Sequence, residues 1–295
     1  MAVNLATRYE GKIVERFNKG SLTEVAAGKD FKFGDAKTII LTSVNTVALN
    51  DFNRTGNGNR FGTVSNLGDT EQEVVMTQDK SFAFSIDAGD QSDQAINNNA
   101  GKALKREIEE VINPTVDRYR LGKWVNGAGA KVYTGNSAAL TKNTILAAII
   151  DVGAAMSNEL VPVAGRTLFI PTRNYVKLVQ ADAIIGIDHG GYDRSAVEKG
   201  VVGMVDGAKV VPIPDGWFPE GAEFLIKHKS ATADPVKFKH YHIHESPQGY
   251  DGPVVEGRIY YDAFVLDAKK AGCGICILGA QSDSSGNESG NADGE

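Results

Sequence analysis

Two long β-type runs flank a polar, glycine-rich stretch between residues 37 and 90. The first run, KTIILTSVNTVALNDF, is rich in β-branched residues, and the second ends in FAFSID, where large apolar residues alternate with small or polar ones. The intervening NRTGNGNRFGTVSNLGD is too polar to bury itself. This pattern predicts a long β-hairpin that reaches away from its own domain. Because a two-stranded hairpin is only marginally stable in water, we expect other copies of the chain to cover it.

Apolar residues are scattered among charges and glycines in residues 1–34, without a period that would define a core. They are Ile13, Val14, Phe17, Leu22 and Val25. Such a segment cannot bury itself, so we predict an arm that lies on other surfaces and becomes ordered when they are present.

A helical pattern follows the predicted hairpin, and Asp93 or Asn97 can cap its first turn. Its apolar residues recur at helical spacing: Ile96, Ala100, Leu104, Ile108 and Val111. Pro114 is expected to end or kink this helix, after which VDRYRLGKWVNGAG resumes the pattern. Tyr119 and Trp124 are the expected core anchors of the second part.

Helix and strand patterns alternate between residues 141 and 230. Thr141 is a predicted N-cap, with Leu140 and Ile145 as a hydrophobic staple, and Ile149, Val152 and Met156 continue the buried stripe. The predicted strands are RTLFI, closed by Pro171, then GVVGMVDGAKVVPIP and EFLIKHK. The order predicts a compact α/β subdomain inserted between two parts of a sheet.

The last predicted strands are FKHYHIHE and VVEGRIYYDAFVLD. In the second of these, an apolar face and a polar face alternate; the apolar face has Val255, Ile259, Tyr261, Ala263 and Val265, and the polar face has Glu256, Arg258 and Asp262. After Leu278 the chain becomes GAQSDSSGNESGNADGE, a polar, low-complexity tail that is predicted to be disordered.

The composition suits a protein with a substantial core: 295 residues, of which 42% are hydrophobic. The 31 basic and 37 acidic side chains leave a formal net charge of -6. A mildly acidic chain is a poor general nucleic-acid binder, and we expect no sequence-specific binding. No apolar stretch has the length of a signal peptide or of a membrane span, which predicts a soluble chain made in the cytoplasm without membrane contact.

Three alternating histidines, His240, His242 and His244, are the strongest candidate for chemistry. On a strand they would share one face, as in some zinc hydrolases, with Glu245 or the two cysteines as further ligands. The alternative is a solvated or interface strand face without metal. Since the neighbouring sequence offers no supporting carboxylates, we favour that alternative.

Cys273 and Cys276 form a CxxC spacing that follows a β-rich segment instead of opening a helix. A second CxxC, which would complete a four-thiolate zinc site, is absent from the sequence. Two buried thiols in a strand are the expected structure. The glycine-rich pieces match neither nucleotide-binding fingerprint. The sequence therefore predicts no cofactor, no metal and no enzymatic activity.

Taken in order, these elements resemble the major capsid protein of tailed bacteriophages, which has the Hong Kong 97-type fold also seen in encapsulin shells. The resemblance runs from the N-terminus to Leu278. It is carried by DKSFAFSIDAGDQSDQ, ELVPVAGRTLFIPTRNY, GVVGMVDGAKVVPIP and GPVVEGRIYYDAFVLDAKKAG.

The resemblance implies an α+β fold with five named parts. They are an N-terminal arm (1–34), an extended hairpin or E-loop (35–92), a P-domain with a long spine helix (93–140, completed by the strands of 231–280), an A-domain (141–230) and a disordered polar tail (281–295).

The function implied is that of a structural protein. It would self-assemble into pentamers and hexamers of an icosahedral phage head that encloses double-stranded DNA, and it would be assembled in the host cytoplasm and reside in the virion capsid. Because the arm begins almost at Met1, a separate scaffolding protein is expected, with a portal and a decoration protein as further partners. An encapsulin-type nanocompartment shell is the alternative, although the arm lacks the cargo-binding helix typical of encapsulins.

The resemblance also implies which residues touch neighbouring subunits: the arm, the hairpin tip and the loop at the capsomer axis. The candidates are Arg8, Phe17, Arg54, Arg60, Phe61, Gly186, Asp188, Tyr192 and Arg194. Flexible glycines at 56–62 and 186–191 would absorb the difference between rings of five and six.

Overall fold

The structure is a computed structural model. It describes residues 20–34, 37–44, 49–52, 54–55, 60–62, 64, 69–85, 104–135, 139–181, 184–186, 200–244, 248–249 and 254–279. The chain divides into two compact units. The first contains the described residues of 29–104 and 233–263, and the second those of 15–28, 105–232 and 264–295.

The regular elements combine strands and helices, as expected for an α+β protein. The strands are β1 (Lys32–Phe33), β2 (Thr38–Val44), β3 (Asp69–Val75), β4 (Gln78–Ser85), β5 (Ala130–Tyr133), β6 (Arg166–Pro171), β7 (Ile185–Gly186), β8 (Gly203–Val205), β9 (Ala208–Ile213), β10 (Ala222–His228), β11 (Thr232–Ala233), β12 (Val236–His244), β13 (Val254–Tyr261), β14 (Phe264–Val265) and β15 (Cys273–Ile277). The helices are α1 (Asn113–Asn126), α2 (Ile145–Asn158) and α3 (Thr172–Gln180), with short 3-10 turns at Thr23–Ala26, Asp215–Trp217, Lys229–Ala231 and Asp267–Gly272.

The first unit contains the predicted hairpin, but its second strand differs from the prediction. Strand β2 pairs with β3 in antiparallel register from Thr38↔Val75 to Val44↔Asp69. The FAFS run belongs instead to β4, which pairs with β13. The assignment of the FAFS part of FAFSID to the hairpin was therefore wrong, and the last two residues of that run lie outside the described residues. Strand β3 has the sequence DTEQEVV. Its acidic residues interrupt the alternation of apolar and polar positions that predicts a strand.

The second sheet of this unit has the order β12-β13-β4 and is antiparallel throughout. Val255, Ile259 and Tyr261 of β13 are buried, as the alternation predicts. The strand ends at Tyr261, so Ala263 and Val265 lie beyond it and do not continue that face.

The second unit is built on a seven-stranded mixed sheet of order β5-β15-β10-β6-β9-β8-β7. All six residues of β6 are buried. Its Leu168 and Ile170 join a core cluster with the buried stripe of α2, and that stripe is confirmed by Ile145, Ile149, Val152 and Met156. Phe169 alternates to the other face, where its ring centre lies 5.5 Å from that of Trp124. The central strand is thus covered on both faces, which accounts for its unbroken apolar run.

GVVGMVDGAKVVPIP forms two strands, not the single strand predicted. Strands β8 and β9 pair antiparallel, with Val205 opposite Ala208. The two residues between them, Asp206 and Gly207, have φ values of 47° and 72°. Two positive φ values are typical of the type I′ turn that closes a tight hairpin, so the Asp-Gly pair was an overlooked hairpin signal.

The long helical segment does not end at Pro114, but its regular α-helical pattern is interrupted just before that residue. Residues 104–107 are α-helical, Ile108–Ile112 form a π-helical turn, and α1 follows with Pro114 in its first turn. Proline supplies no amide hydrogen to the helical ladder, and the ladder already changes its hydrogen-bond register in the π-helical turn that directly precedes it. The wider turn shifts the buried face by one residue: Ile112 is 7% exposed and Val111 is 49% exposed. Burial of Val111 was therefore a wrong prediction.

Two other sequence predictions about helix ends and anchors have mixed outcomes. Trp124 is fully buried, whereas Tyr119 is only half-buried. Helix α2 begins at Ile145 with Thr144 as its N-cap, so the choice of Thr141 was wrong. Thr141 instead accepts hydrogen bonds at its carbonyl from the amides of Thr144 and Ile145.

Candidate assembly surfaces and candidate metal ligands

The hairpin presents large apolar side chains to solvent near its tip. The exposed fractions are 101% for Leu49, 52% for Phe52, 82% for Phe61 and 86% for Val64. The rings of Phe52 and Phe61 meet edge to face with their centres 5.2 Å apart. Exposure of such a group of apolar side chains to water is unfavourable. It is therefore typical of a surface that an apolar partner covers.

Arg54 and Arg60 are exposed in the same part of the hairpin, as is Phe61. Three of the predicted contact residues are therefore accessible. Their contact with a neighbouring subunit stays a prediction. An exposed ion pair formed there by either arginine would contribute only about 0.2–1 kcal/mol to the free energy of association.

The base of the hairpin is held by a charged network. Asp79 accepts hydrogen bonds from Lys37 Nζ at 2.7 Å and from Arg258 Nη2 at 2.6 Å. Both cations also lie 4.9 Å from the ring centre of Tyr260. The hydrogen bonds from Arg258 and Lys37 hold the pKa of Asp79 well below its ordinary value. The network joins Lys37, directly before β2, to strands β4 and β13. It therefore connects the base of the hairpin to the β12-β13-β4 sheet.

A second contact secures the corner between β3 and β4. Asp262 is 1% exposed, and its Oδ2 accepts hydrogen bonds from both the amide and the hydroxyl of Thr77 at 2.8 Å. The sequence analysis placed Asp262 on the polar face of β13; in the structure it is a buried acceptor beyond that strand.

Residues 20–28, which we call the arm root, are packed within their own unit. Ser21, Thr23, Ala26 and Ala27 are each no more than 3% exposed. This corrects the prediction that the whole of residues 1–34 lies on other surfaces. The apolar pattern could not reveal the packing, because the root is held mainly by polar contacts.

Asp117 on α1 is the centre of those contacts. It accepts hydrogen bonds from Ser21 Oγ at 2.5 Å, the Leu22 amide at 2.8 Å and Thr23 Oγ1 at 2.6 Å. Burial raises the pKa of Asp117, and the hydrogen bonds from Ser21 and Thr23 oppose that rise. The carboxylate is 1% exposed, so its charge depends on these donors for the hydrogen bonds that water would otherwise supply.

Two buried cations from other elements of the unit also contact the arm root. Arg120 Nη1 donates to Thr23 Oγ1 at 3.1 Å and to Glu24 Oε2 at 3.4 Å. Lys227 of β10 is fully buried, donates to the carbonyl of Ala26 and lies 4.0 Å from the ring centre of Trp124. The sequence contains one indication of this site: Asp117 and Arg120, an acid and a base three residues apart, lie on the otherwise apolar side of α1.

Only one of the remaining predicted contact residues, Gly186, lies among the described residues. Arg8, Phe17, Asp188, Tyr192 and Arg194 lie outside the described residues. Gly186 ends β7, which is the last strand in the order of the seven described strands of this sheet. The predicted helix residues before Leu104, and the polar tail 281–295, also lie outside the described part of the chain.

The histidine strand is β12, and two of its candidate ligands are exposed: His242 and His244, with ring centres 6.1 Å apart. His244 Nε2 lies 2.8 Å from Oε1 of Glu256, and that contact lowers the pKa of Glu256. Glu245 lies outside the described residues. Among the residues that the structure describes, no group of three or more histidine, cysteine or acidic side chains is arranged to hold a metal ion.

The two cysteines are buried free thiols of β15, as expected. Strand β15 lies between β5 and β10 inside the sheet. Burial raises the pKa of Cys276 to about 11, with further contributions from Glu223 and Asp151. A thiol in this state is a poor nucleophile, since the thiolate is the reactive form.

Helices long and apolar enough to cross a membrane are absent from the described ranges.

No protein-family model matches the chain, and no curated protein matches it. Its fold, however, is similar to that of solved shell structures. The capsid of cyanophage P-SCSP1u has a TM-score of 0.62 at 14% identity over 87% of each chain, and the capsid of Ralstonia phage GP4 has 0.61 at 13% identity over 84% of this chain and 85% of that one. A virus-like particle from Pyrococcus furiosus has a TM-score of 0.56 at 10% identity over 94% of this chain and 100% of that one.

At these identities the similarity shows the fold alone. The chain has the fold of phage capsid proteins, which confirms the fold suggested by the sequence resemblance. The detailed division into arm, E-loop, P-domain and A-domain stays a prediction.

Proposed function

We propose that this chain is the major capsid protein of a tailed phage, a structural protein that assembles with copies of itself into a closed shell. The observation that carries the proposal is the similarity to phage capsid structures over more than four fifths of both chains. The exposed apolar cluster at the hairpin tip supports it, because a partner is needed to remove Leu49, Phe61 and Val64 from water.

In this proposal, the same subunit forms rings of five and six, which close an icosahedral head around double-stranded DNA. Head-to-tail contacts generate such rings when the rotation between subunits closes. Each contact can be weak, since many contacts per subunit hold the shell together. A separate scaffolding protein, a portal and a decoration protein are the proposed partners, with assembly in the host cytoplasm.

The proposal is tested by assembly of the purified chain, with and without its scaffolding partner. Sedimentation velocity and negative-stain microscopy should show capsomers or closed particles. A chain that stays monomeric at high concentration, with a protease-resistant segment at 50–75, would contradict the proposal.

A nanocompartment that encloses protein is the second candidate. It is favoured by the similarity to the Pyrococcus furiosus virus-like particle, which spans the whole of that chain. The nucleic-acid content of particles purified from the native source, measured by absorbance and nuclease protection, separates the two: protected double-stranded DNA supports the phage head, and an enclosed protein without DNA supports the nanocompartment.

A further inference from the structure

An exposed apolar loop follows helix α2 in the second unit. Leu160 is 89% exposed and Val163 is 48% exposed, and Pro162 between them is also exposed. These three side chains form a small convex surface, which we call the 160–163 knob.

Leu160 occupies a backbone position that favours glycine. Its φ is 59°, its amide donates to the carbonyl of Ser157, and the next amide, of Val161, donates to the carbonyl of Met156. This pair of hydrogen bonds is the Schellman motif, in which the left-handed residue is usually glycine. A leucine here carries a steric penalty, and its side chain gains almost no burial within its own chain in return.

The loop is held rigidly in spite of that penalty. Arg166, which is 2% exposed, donates from Nε to the Pro162 carbonyl at 3.0 Å and from Nη2 to the Val161 carbonyl at 2.6 Å. His228 Nδ1 accepts from the Ser230 amide at 3.3 Å, so Nε2 carries the proton and donates to the Ala164 carbonyl at 3.0 Å. A rigid apolar surface loses little conformational entropy when a partner covers it.

A pocket of about 210 Å³ lies directly beside the knob. Its walls are the 160–162 loop, His228, Ser230 and the 268–272 turn, and its lining is mainly aliphatic. An apolar cavity of roughly 150 Å³ accepts benzene, so this pocket has room for one leucine side chain. Convex and concave surfaces therefore stand side by side on one patch.

Opposite charges also border this patch. Glu159 and Lys269 both line the pocket and are both exposed. When two copies of one patch meet about a twofold axis, any contact between one residue of the first copy and a second residue of the other copy is formed twice. A contact that places Glu159 of one copy opposite Lys269 of the other would therefore contain this ion pair twice.

We propose that this patch is a twofold contact between two copies of the chain, in which Leu160 of each copy enters the pocket of the other. The inference rests on the proposed shell function, and it assigns one of the shell's contacts to a surface outside the hairpin and the arm.

The first test is Leu160→Gly. Glycine relieves the backbone penalty, so the melting temperature of the isolated subunit should stay the same or rise, whereas association between subunits should weaken at least tenfold in sedimentation equilibrium. Ile150→Ala is the control, because Ile150 is an exposed apolar residue (47% exposed) in the first half of α2, whereas the knob follows the end of that helix. Association of Leu160→Gly at the wild-type strength would overturn the inference.

The second test detects the contact between chains directly. Glu159→Lys and Lys269→Glu should each weaken self-association, because each places like charges across the twofold axis. An equimolar mixture of the two variants should recover it, with native mass spectrometry showing one chain of each kind in the dimer. A mixture that stays as weak as the single variants overturns the inference.

The proposed function and this contact fail separately. If the wild type forms no shell under any condition, the shell proposal fails, while dimer formation in the mixing experiment still supports the contact. If the wild type forms shells and both Leu160→Gly and the charge variants do so equally well, the contact is excluded and the shell proposal stands.

Discussion

Neither the arm root nor the hairpin has an apolar pattern that would form a core of its own. The two segments differ in that the arm root is buried, whereas the hairpin tip is exposed. The arm root is buried in its own unit by a carboxylate and two cations, centred on Asp117. The hairpin keeps Leu49, Phe61 and Val64 exposed and holds only its base, through Asp79. Substitutions in the root should therefore act on folding, and those at the hairpin tip should act on association.

Gly28→Ala is expected to have the largest effect. A Cβ at this position would overlap the carbonyl group of Thr232, a backbone group that cannot move aside, so the root must leave its site. The free energy of unfolding should fall by about 4 kcal/mol, at the upper end of single substitutions. Urea denaturation measures the loss, and hydrogen exchange should show the amides of 21–27 unprotected.

Gly122→Ala is the matched control for that experiment. Gly122 lies in α1 with open space around the position of a Cβ, and alanine should stabilise the helix by about 0.5–1 kcal/mol. Equal stability of the two variants would mean that the root does not depend on the close approach at Gly28.

Asp117→Ala should come next, with a fall of about 3 kcal/mol in the free energy of unfolding. The substitution leaves the Leu22 amide and two hydroxyls buried without their acceptor, and each such group costs about 1–3 kcal/mol before relaxation. Chemical denaturation tests this, with Asp30→Ala as a control because Asp30 is exposed. A loss below about 1 kcal/mol would show that the root's polar contacts contribute little.

Asp79→Asn tests the base of the hairpin and should have a smaller, pH-dependent effect. The pKa of Asp79 is lowered in the folded chain, so its carboxylate stabilises the fold above the ordinary carboxyl pKa, and this contribution is lost as pH falls toward the lowered pKa. The stability difference between wild type and variant should be constant from about pH 7 to pH 5 and shrink in stronger acid. Thermal unfolding as a function of pH measures it; a difference that grows on acidification would be inconsistent with this linkage.

Phe61→Ser should have the smallest effect on folding, within about 0.5 kcal/mol, because the side chain is 82% exposed. Its effect on assembly should be large, with particle yield falling while the subunit's unfolding transition is unchanged. Val176→Ser on α3, which removes a half-exposed apolar residue (49%), is the comparison. If Phe61→Ser unfolds the subunit, the tip packs on its own chain and the contrast with the arm root fails.

Local patterns determined much of the second unit. The run RTLFI predicts a strand, and the spacing of Ile145, Ile149 and Val152 predicts the buried face of α2. Both are confirmed, and the strand is buried throughout. These predictions succeed because burial on one element depends on the periodicity of its own side chains. The order of the elements also led to the capsid fold through the resemblance, which the similarity to phage capsid structures confirms. The contact residues that the resemblance implies stay predictions.

Three features were decided only by the tertiary structure. The strand FAFS pairs with β13 instead of β2, since pairing is chosen by the surfaces that meet and not by the strand alone. The π-helical turn before Pro114 buries Ile112 in place of Val111, because an inserted residue shifts the phase of the helix. The arm root is held by Asp117, Arg120 and Lys227. A hydropathy pattern assigns these charged residues to the surface, because the partners that allow their burial are distant in the sequence.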